Sequence, residues 1–78
     1  MMMAPEELWA DRARRLVKAE LKRADVTYEE LAHRLSDMGL PETKASIASK
    51  LSRGAFPATF MLAALRAVGC QQVRLEDL

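Results

Sequence analysis

The stretch VTYEELAHRLSDMGLPETKASIASKLSRG, residues 26–54, decides the fold class. Thr27, followed three residues later by Glu30, predicts a capping box, in which hydroxyl and carboxylate each satisfy a free backbone N–H at a helix start. Apolar residues then recur at helical spacing up to Gly39, a residue that can end the helix. A further helix is predicted over residues 41–53, ending before Gly54. The stretch therefore predicts two short helices joined by a turn.

One helix is predicted before this stretch and one after it. The first runs from about Pro5 to Ala24 because proline suits a first helical position and apolar residues recur along one side: Trp9, Ala13, Leu16, Val17 and Leu21. We expect Trp9 to be a packing anchor that closes one end of the core. The last helix carries an apolar face ending before Gly69: Phe60, Met61, Ala64, Leu65 and Val68.

The composition indicates an all-helical core. Half of the 78 residues are hydrophobic but only 5% are aromatic, and the abundance of alanine and leucine favours helices over strands. The whole chain, 1–78, is predicted to form one domain, with 1–4 as a candidate disordered segment and 70–78 as a C-terminal tail. Apolar and polar residues alternate from Val73 to Leu75. The tail could therefore be a short strand, a docking tail or a frayed end, and the sequence does not decide among these alternatives.

Several classes of protein are not expected. No segment approaches the roughly 20 apolar residues of a membrane span, and the N-terminus lacks the basic and apolar regions of a signal peptide. The single cysteine, Cys70, excludes an internal disulfide and fits the cytoplasm. His33 is the only histidine, has no cysteine nearby and is expected on the outer side of its helix. We therefore expect no catalytic residue, metal site or cofactor.

Charge is distributed unevenly along the chain. The net charge is only +1, yet residues 1–23 carry six basic and four acidic side chains, 24–40 carry one and four, and 41–54 carry three and one. At 100° per residue, the outer side of the third predicted helix presents Glu42, Ser46, Ser49 and Arg53, with Lys50 beside them, while Ile47, Ala48 and Leu51 face inward. The small residues Ala45 and Ala48 would permit close approach of another molecule. Lys44 falls near the buried side, so either the helix starts close to Lys44 or the lysine stem extends to solvent. Serine, lysine and arginine can bind phosphates or base edges. An ordinary solvated surface explains the same pattern equally well.

Four segments of the chain together resemble the lambda-repressor-like, Xre-type helix-turn-helix domain: residues 26–35, residues 49–54, Pro57 and residues 62–69. That family has a Ser/Thr-capped helix containing ELA, a recognition helix ending in a SKIERG-like run, and a later helix closing with Leu-Gly. The chain as a whole is also similar to a small bacterial family of single-domain proteins of unknown function. This second resemblance rests on Trp9, on Tyr28 with Leu31, and on residues 50–56.

The first resemblance implies a compact all-α bundle of four to five helices in which the third helix lies in the major groove of DNA. Ser46, Ser49 and Lys50 match positions that face DNA in that family. Tyr28 matches a position at the start of the second helix that touches phosphate, and Arg53 matches the end of the recognition helix. The distance from Gly39 to Gly54 is about three residues longer than is usual in that family, which implies an extended turn before the third helix.

Three functions remain open from the sequence. The first is a sequence-specific transcriptional regulator that binds double-stranded DNA as a homodimer, with half-sites about one helical turn apart. The second is a protein-interaction module with little DNA affinity, since fold does not imply function and the net charge is low. The third is an antitoxin-like accessory subunit that binds a protein partner through residues 73–78.

Overall fold

The computed structural model describes residues 3–78 and contains four α-helices followed by one turn of 3-10 helix. The helices are α1 (Pro5–Ala24), α2 (Tyr28–Asp37), α3 (Lys44–Arg53) and α4 (Ala58–Ala67), and the 3-10 helix covers Leu75–Asp77. The all-α fold class is confirmed. Residues 3–78 contain no β-strand, so the strand alternative for the tail is wrong. Disorder was predicted for residues 1–4, and two of these residues, Met1 and Met2, lie outside the described residues.

The four helices enclose one hydrophobic core. α1 and α2 each pack against both α3 and α4, so every helix contributes one side to the centre. The largest fully buried side chains come from the first three helices: Val17, Leu31, Leu35, Ile47 and Leu51. Phe60, Ala64 and Val68 close the core from the α4 side. Burial of these aliphatic side chains is the main force that holds the short helices together.

α1 has the predicted bounds but faces the core with a different stripe. Val17 and Leu21 are buried as expected, and Ala10 and Arg14 extend the same stripe at spacings of four and three residues. Trp9 is 57% exposed, so its prediction as a core anchor is wrong. Its indole lies on the adjoining side of α1, where the Arg12 guanidinium stacks 4.6 Å from the ring centroid.

The reciprocal capping box occurs at α3 instead of α2. At α2, Thr27 Oγ1 accepts a hydrogen bond from the Glu30 N–H at 3.1 Å, but the Glu30 carboxylate accepts one from Arg34 at 3.3 Å instead of binding back. At α3, Thr43 Oγ1 accepts from the Ser46 N–H at 3.0 Å, and Ser46 Oγ accepts from the Thr43 N–H at 2.8 Å. This box starts α3 at Lys44, so a start at residue 41 is wrong and the alternative start close to Lys44 is confirmed.

The connection between α2 and α3 is six residues long. It spans residues 38–43, beginning with Met38 and the positive-φ Gly39. The angular positions of residues along α3 do not depend on where the helix starts. Ala48, expected to face inward, is exposed, and Lys44, expected near the buried side, is exposed because it lies in the first turn.

Two arginines bind the C-terminal ends of helices other than their own. Arg14 of α1 donates from Nη2 to the carbonyl oxygen of Arg53, the last residue of α3, at 3.3 Å. Arg34 of α2 donates from Nη1 to the carbonyl oxygen of Ala67, the last residue of α4, at 2.8 Å. Helix C-termini carry unpaired carbonyls and a partial negative charge, so a cation there is stabilising. These contacts join α1 to α3 and α2 to α4.

Candidate nucleic-acid interface

The exposed residues of α3 form one continuous surface, which we call the outer face of α3. It consists of residues 44, 45, 48, 49, 52 and 53, all exposed. At 100° per residue these six positions cover about half of the helix circumference, with Lys44 and Arg53 about 180° apart at its two edges. Lys44 lies in the first turn and Arg53 at the last position, and α3 contains no acidic residue. The outer face therefore has small side chains in the middle and a cation at each end.

The size of this surface suits a nucleic-acid groove. Ten helical residues extend over about 15 Å, and the major groove is about 12 Å wide. Between the two cations the outer face carries Ala45, Ala48, Ser49 and Ser52. Alanine and serine let a helix backbone approach base edges closely, and the serine hydroxyls can donate and accept hydrogen bonds there.

Two of the residues proposed from the sequence lie on the outer face. Ser49 and Arg53 are both exposed, and Arg53 Nη2 donates to Ser49 Oγ at 3.2 Å. This hydrogen bond orients the guanidinium along the helix surface. Ala45 and Ala48 were expected to permit close approach, whereas Lys44 and Ser52 were missed. The signal for Ser52 was its position three residues after Ser49 on the same side of the helix. The signal for Lys44 was the Thr43–Ser46 pair, because its capping box starts the helix at Lys44.

Ser46 and Lys50 lie beside the outer face and are bound to Glu42. Ser46 Oγ donates to Glu42 Oε1 at 2.6 Å, and Lys50 Nζ lies 3.0 Å from both carboxylate oxygens. The two charged side chains are only 25% and 12% exposed, Lys50 and Glu42 respectively. Because Glu42 immediately precedes the N-cap, its carboxylate lies over the first two turns of α3. The positive charge of Lys50 is thus largely neutralised within the protein.

Tyr28, the fifth residue proposed from the sequence, is not brought to the outer face. It is half-buried and packs against the hydrophobic core at the start of α2. Beside it along α2, Glu29, His33 and Ser36 line a shallow depression of about 230 Å³ together with Glu42. Because the Glu42 carboxylate is paired with Lys50, the negative charge on the α2 side of α3 comes from Glu29. Positive charge on the outer face itself comes from Lys44 and Arg53.

Shifted pKa values occur away from α3. Arg23, hydrogen-bonded to Glu20 at 2.9 Å, lowers the pKa of that carboxyl. Burial, followed by contact with Glu20, raises the pKa of the half-buried Cys70 thiol. A thiol with a raised pKa is a poor nucleophile at neutral pH. Within residues 3–78 no group of histidine, cysteine or carboxylate side chains has the arrangement to hold a metal ion.

Comparison with models of known protein families identifies the family to which the chain belongs. Residues 9–73 match the model of a domain of unknown function, DUF6471. The chain is a member of the DUF6471 family. No helix-turn-helix family model matches the chain, and neither a curated protein nor a solved structure matches it. The resemblance to a single-domain family of unknown function is thereby confirmed.

The DUF6471 match extends from α1 into the tail and includes all of α2, α3 and α4. The outer face of α3 therefore belongs to the family domain and not to a flanking segment. None of the helices within residues 3–78 combines the length and apolar character needed to cross a membrane. The lambda-repressor-like resemblance remains a hypothesis.

Proposed function

We propose that this DUF6471 domain binds double-stranded DNA sequence-specifically, as a transcriptional regulator, with α3 in the major groove. The observation that carries the proposal is the composition of the outer face of α3: small and polar in the middle, cationic at both ends and free of acidic residues. The order of a capped helix, a turn and a second short helix supports it, because this arrangement presents the second helix to a groove.

The residues of the outer face divide into two roles. Lys44 and Arg53 are the phosphate-binding residues, because their charges lie at opposite ends of α3, about 13 Å apart along the helix axis. Ser49 and Ser52 are the base-reading residues, because their hydroxyls lie between these cations. Ser46 and Lys50 act indirectly, by holding Glu42 at the N-terminal end of the helix.

The number of cations sets the expected salt dependence. Each neutralised phosphate contributes about −0.9 to the slope of log K against log salt, so Lys44 and Arg53 together give about −1.8 per chain. Raising the salt from about 50 to 200 mM would then weaken binding about 12-fold for one chain and about 150-fold for two chains bound together. The protein should therefore bind measurably at low salt and weakly at physiological salt.

The test is fluorescence anisotropy of a pool of random duplexes titrated with the full chain at several salt concentrations. We expect Lys44→Ala combined with Arg53→Ala to remove most of the slope. Lys18→Ala, an exposed lysine on α1, is the matched control: it also removes positive charge but leaves α3 unchanged. Absence of salt-dependent binding at low salt, or equal losses in the Lys18 control, would refute the proposal.

The role of Lys50 has its own test. Glu42→Gln removes the carboxylate that holds Lys50 Nζ at 3.0 Å. If the freed ammonium reaches a phosphate, the salt slope becomes steeper by up to about 0.9. Ser49→Ala, in contrast, should change the preferred sequence among selected duplexes more than the average affinity. A Ser49 variant with unchanged preference would remove the base-reading role from that position.

A protein-interaction module is the second candidate function. It is favoured by the exposure of large apolar side chains, Trp9, Leu62 and Leu75, on a surface to which α3 contributes no residue. If this is the function, adding the chain would leave the anisotropy of the duplexes unchanged at every salt concentration.

A further inference from the structure

Three exposed apolar side chains border one hollow between α1, α4 and the tail. Trp9 is 57% exposed, Leu62 64% and Leu75 77%. They line a cavity of about 330 Å³ whose remaining wall includes Leu16 and Met61. We call this surface, defined by Trp9, Leu62, Leu75 and the hollow, the apolar face. It contains no residue of α3.

The apolar face is large for a chain of this size. With an area of about 150 to 250 Å² for each large side chain, the exposed fractions of Trp9, Leu62 and Leu75 sum to roughly 300–500 Å². That matches the largest apolar patch on a typical monomer, and such patches commonly mark interaction sites. A weak, reversible dimer buries up to about 600 Å² on each side, so these three side chains supply about half or more of that area.

The chemistry of the hollow does not suit a small polar ligand. Ligand pockets carry several converging polar groups that fix the orientation of the ligand. Arg12 is the only polar residue that lines this hollow, and its guanidinium is stacked on the Trp9 ring at 4.6 Å. An apolar protein surface is therefore the better occupant.

The face has the features of a self-complementary surface. A two-fold interface requires that the same patch carry both projections and a recess, and both signs of charge. Trp9 and Leu62 project at the edge of the hollow. An adjoining recess of about 570 Å³ carries both signs of charge, with Arg12, Arg15 and Glu20 on the α1 side and Arg74 and Asp77 on the tail side. In a two-fold pair, basic groups of each copy can therefore meet acidic groups of the other.

We propose that the apolar face binds a second copy of this chain in a two-fold dimer, with Trp9 and Leu62 of each copy entering the hollow of the other. The proposal does not rest on DNA binding, since it concerns surfaces outside α3. Because the buried area is small, the dimer dissociates in the micromolar range or above.

The test uses sedimentation equilibrium of the full chain from about 1 µM to about 1 mM, with tryptophan emission recorded over the same range. Trp9 is the only tryptophan, so its emission reports on this face alone. We expect a reversible monomer–dimer equilibrium and a blue shift of the emission that follows the dimer fraction. A chain that remains monomeric throughout overturns the proposal, as does an emission that is blue-shifted at every concentration because another occupant covers the indole.

Substitutions locate the interface. Leu62→Glu should weaken dimerisation about tenfold or more, whereas Met38→Glu, an exposed apolar residue in the α2–α3 turn, is the matched control and should leave it unchanged. Leu75→Glu, in the 3-10 turn outside the four helices, provides a second variant should Leu62→Glu lose helical circular dichroism. A dimer that survives both glutamates, or that the Met38 control weakens equally, refutes the assignment of the face.

Discussion

Replacing Gly54 by alanine tests a close approach between α1 and the end of α3. Gly54 ends α3 with a φ of +67°, and a Cβ built on it would lie 2.6 Å from the carbonyl oxygen of Ala10 and 2.9 Å from Arg14 Nη2. The arginine can shift, but the carbonyl belongs to the backbone of α1. To restore an ordinary contact of at least 3.4 Å, the two helices must separate by about 0.8 Å.

The magnitude follows from three contributions. A left-handed φ costs an alanine about 1–2 kcal/mol, and forced separation of packed elements costs about 1–3 kcal/mol. Alanine also restricts the unfolded chain more than glycine does, which stabilises the folded state by about 0.4–1 kcal/mol. The Gly54→Ala variant should therefore lose roughly 1.5–4.5 kcal/mol of unfolding free energy. A domain of this length has about 4–12 kcal/mol in total, so the variant is severely weakened.

Gly39→Ala is the matched control for this experiment. Its φ is +87°, but nothing lies within 4 Å of the added Cβ, so only the backbone term and the unfolded-state term apply. Thermal and urea unfolding followed by circular dichroism should place Gly54→Ala at least about 4 °C, and up to about 20 °C, below Gly39→Ala. Equal melting temperatures would show that the approach of α1 to α3 imposes no constraint at residue 54.

Three further results are expected. Thr43→Ala should cost about 1 kcal/mol in urea unfolding, because the Ser46 N–H loses its acceptor; an unchanged midpoint would contradict the capping box. Arg34→Gln should cost about 1 kcal/mol, a modest value for a partly exposed side chain that binds the Ala67 carbonyl; no loss would show that this contact is not stabilising. The raised pKa of Cys70 should make its alkylation at pH 8 slower than that of a free thiol, and Glu20→Gln should accelerate it by removing one cause of the shift; equal rates in both proteins would exclude the Glu20 contribution.

The helices could be predicted where local chemistry dominates. Pro5 and Thr27 marked the starts of α1 and α2, because a proline at the first position and a threonine hydroxyl at the N-cap act on their own helix. The start of α3 stayed open between residue 41 and Lys44, because the N3 partner of Thr43 is a serine, a less common member of a capping box than glutamate or glutamine.

The faces of the helices were harder to predict, because they depend on contacts distant in sequence. Arg14 occupies the middle of the core-facing stripe of α1, where a charge obscures the hydrophobic pattern, since its function there is to bind the end of α3. The neighbouring stripe containing Trp9 therefore looked more apolar than the true one. The neutralisation of Lys50 by Glu42 across eight residues likewise required the turn to be folded back over α3.

The two arginines that bind helix ends hold the helices together through backbone atoms, so these contacts do not depend on which side chains the helices carry. Arg14 and Arg34 bind backbone carbonyl oxygens, which every amino acid supplies, so neither contact depends on the side chain at position 53 or 67. The exposed positions of α3 can accordingly be exchanged without loosening the bundle. A library randomised at positions 44, 45, 48, 49 and 52 would retain the scaffold while sampling new specificities, which makes this small domain a suitable starting point for directed evolution.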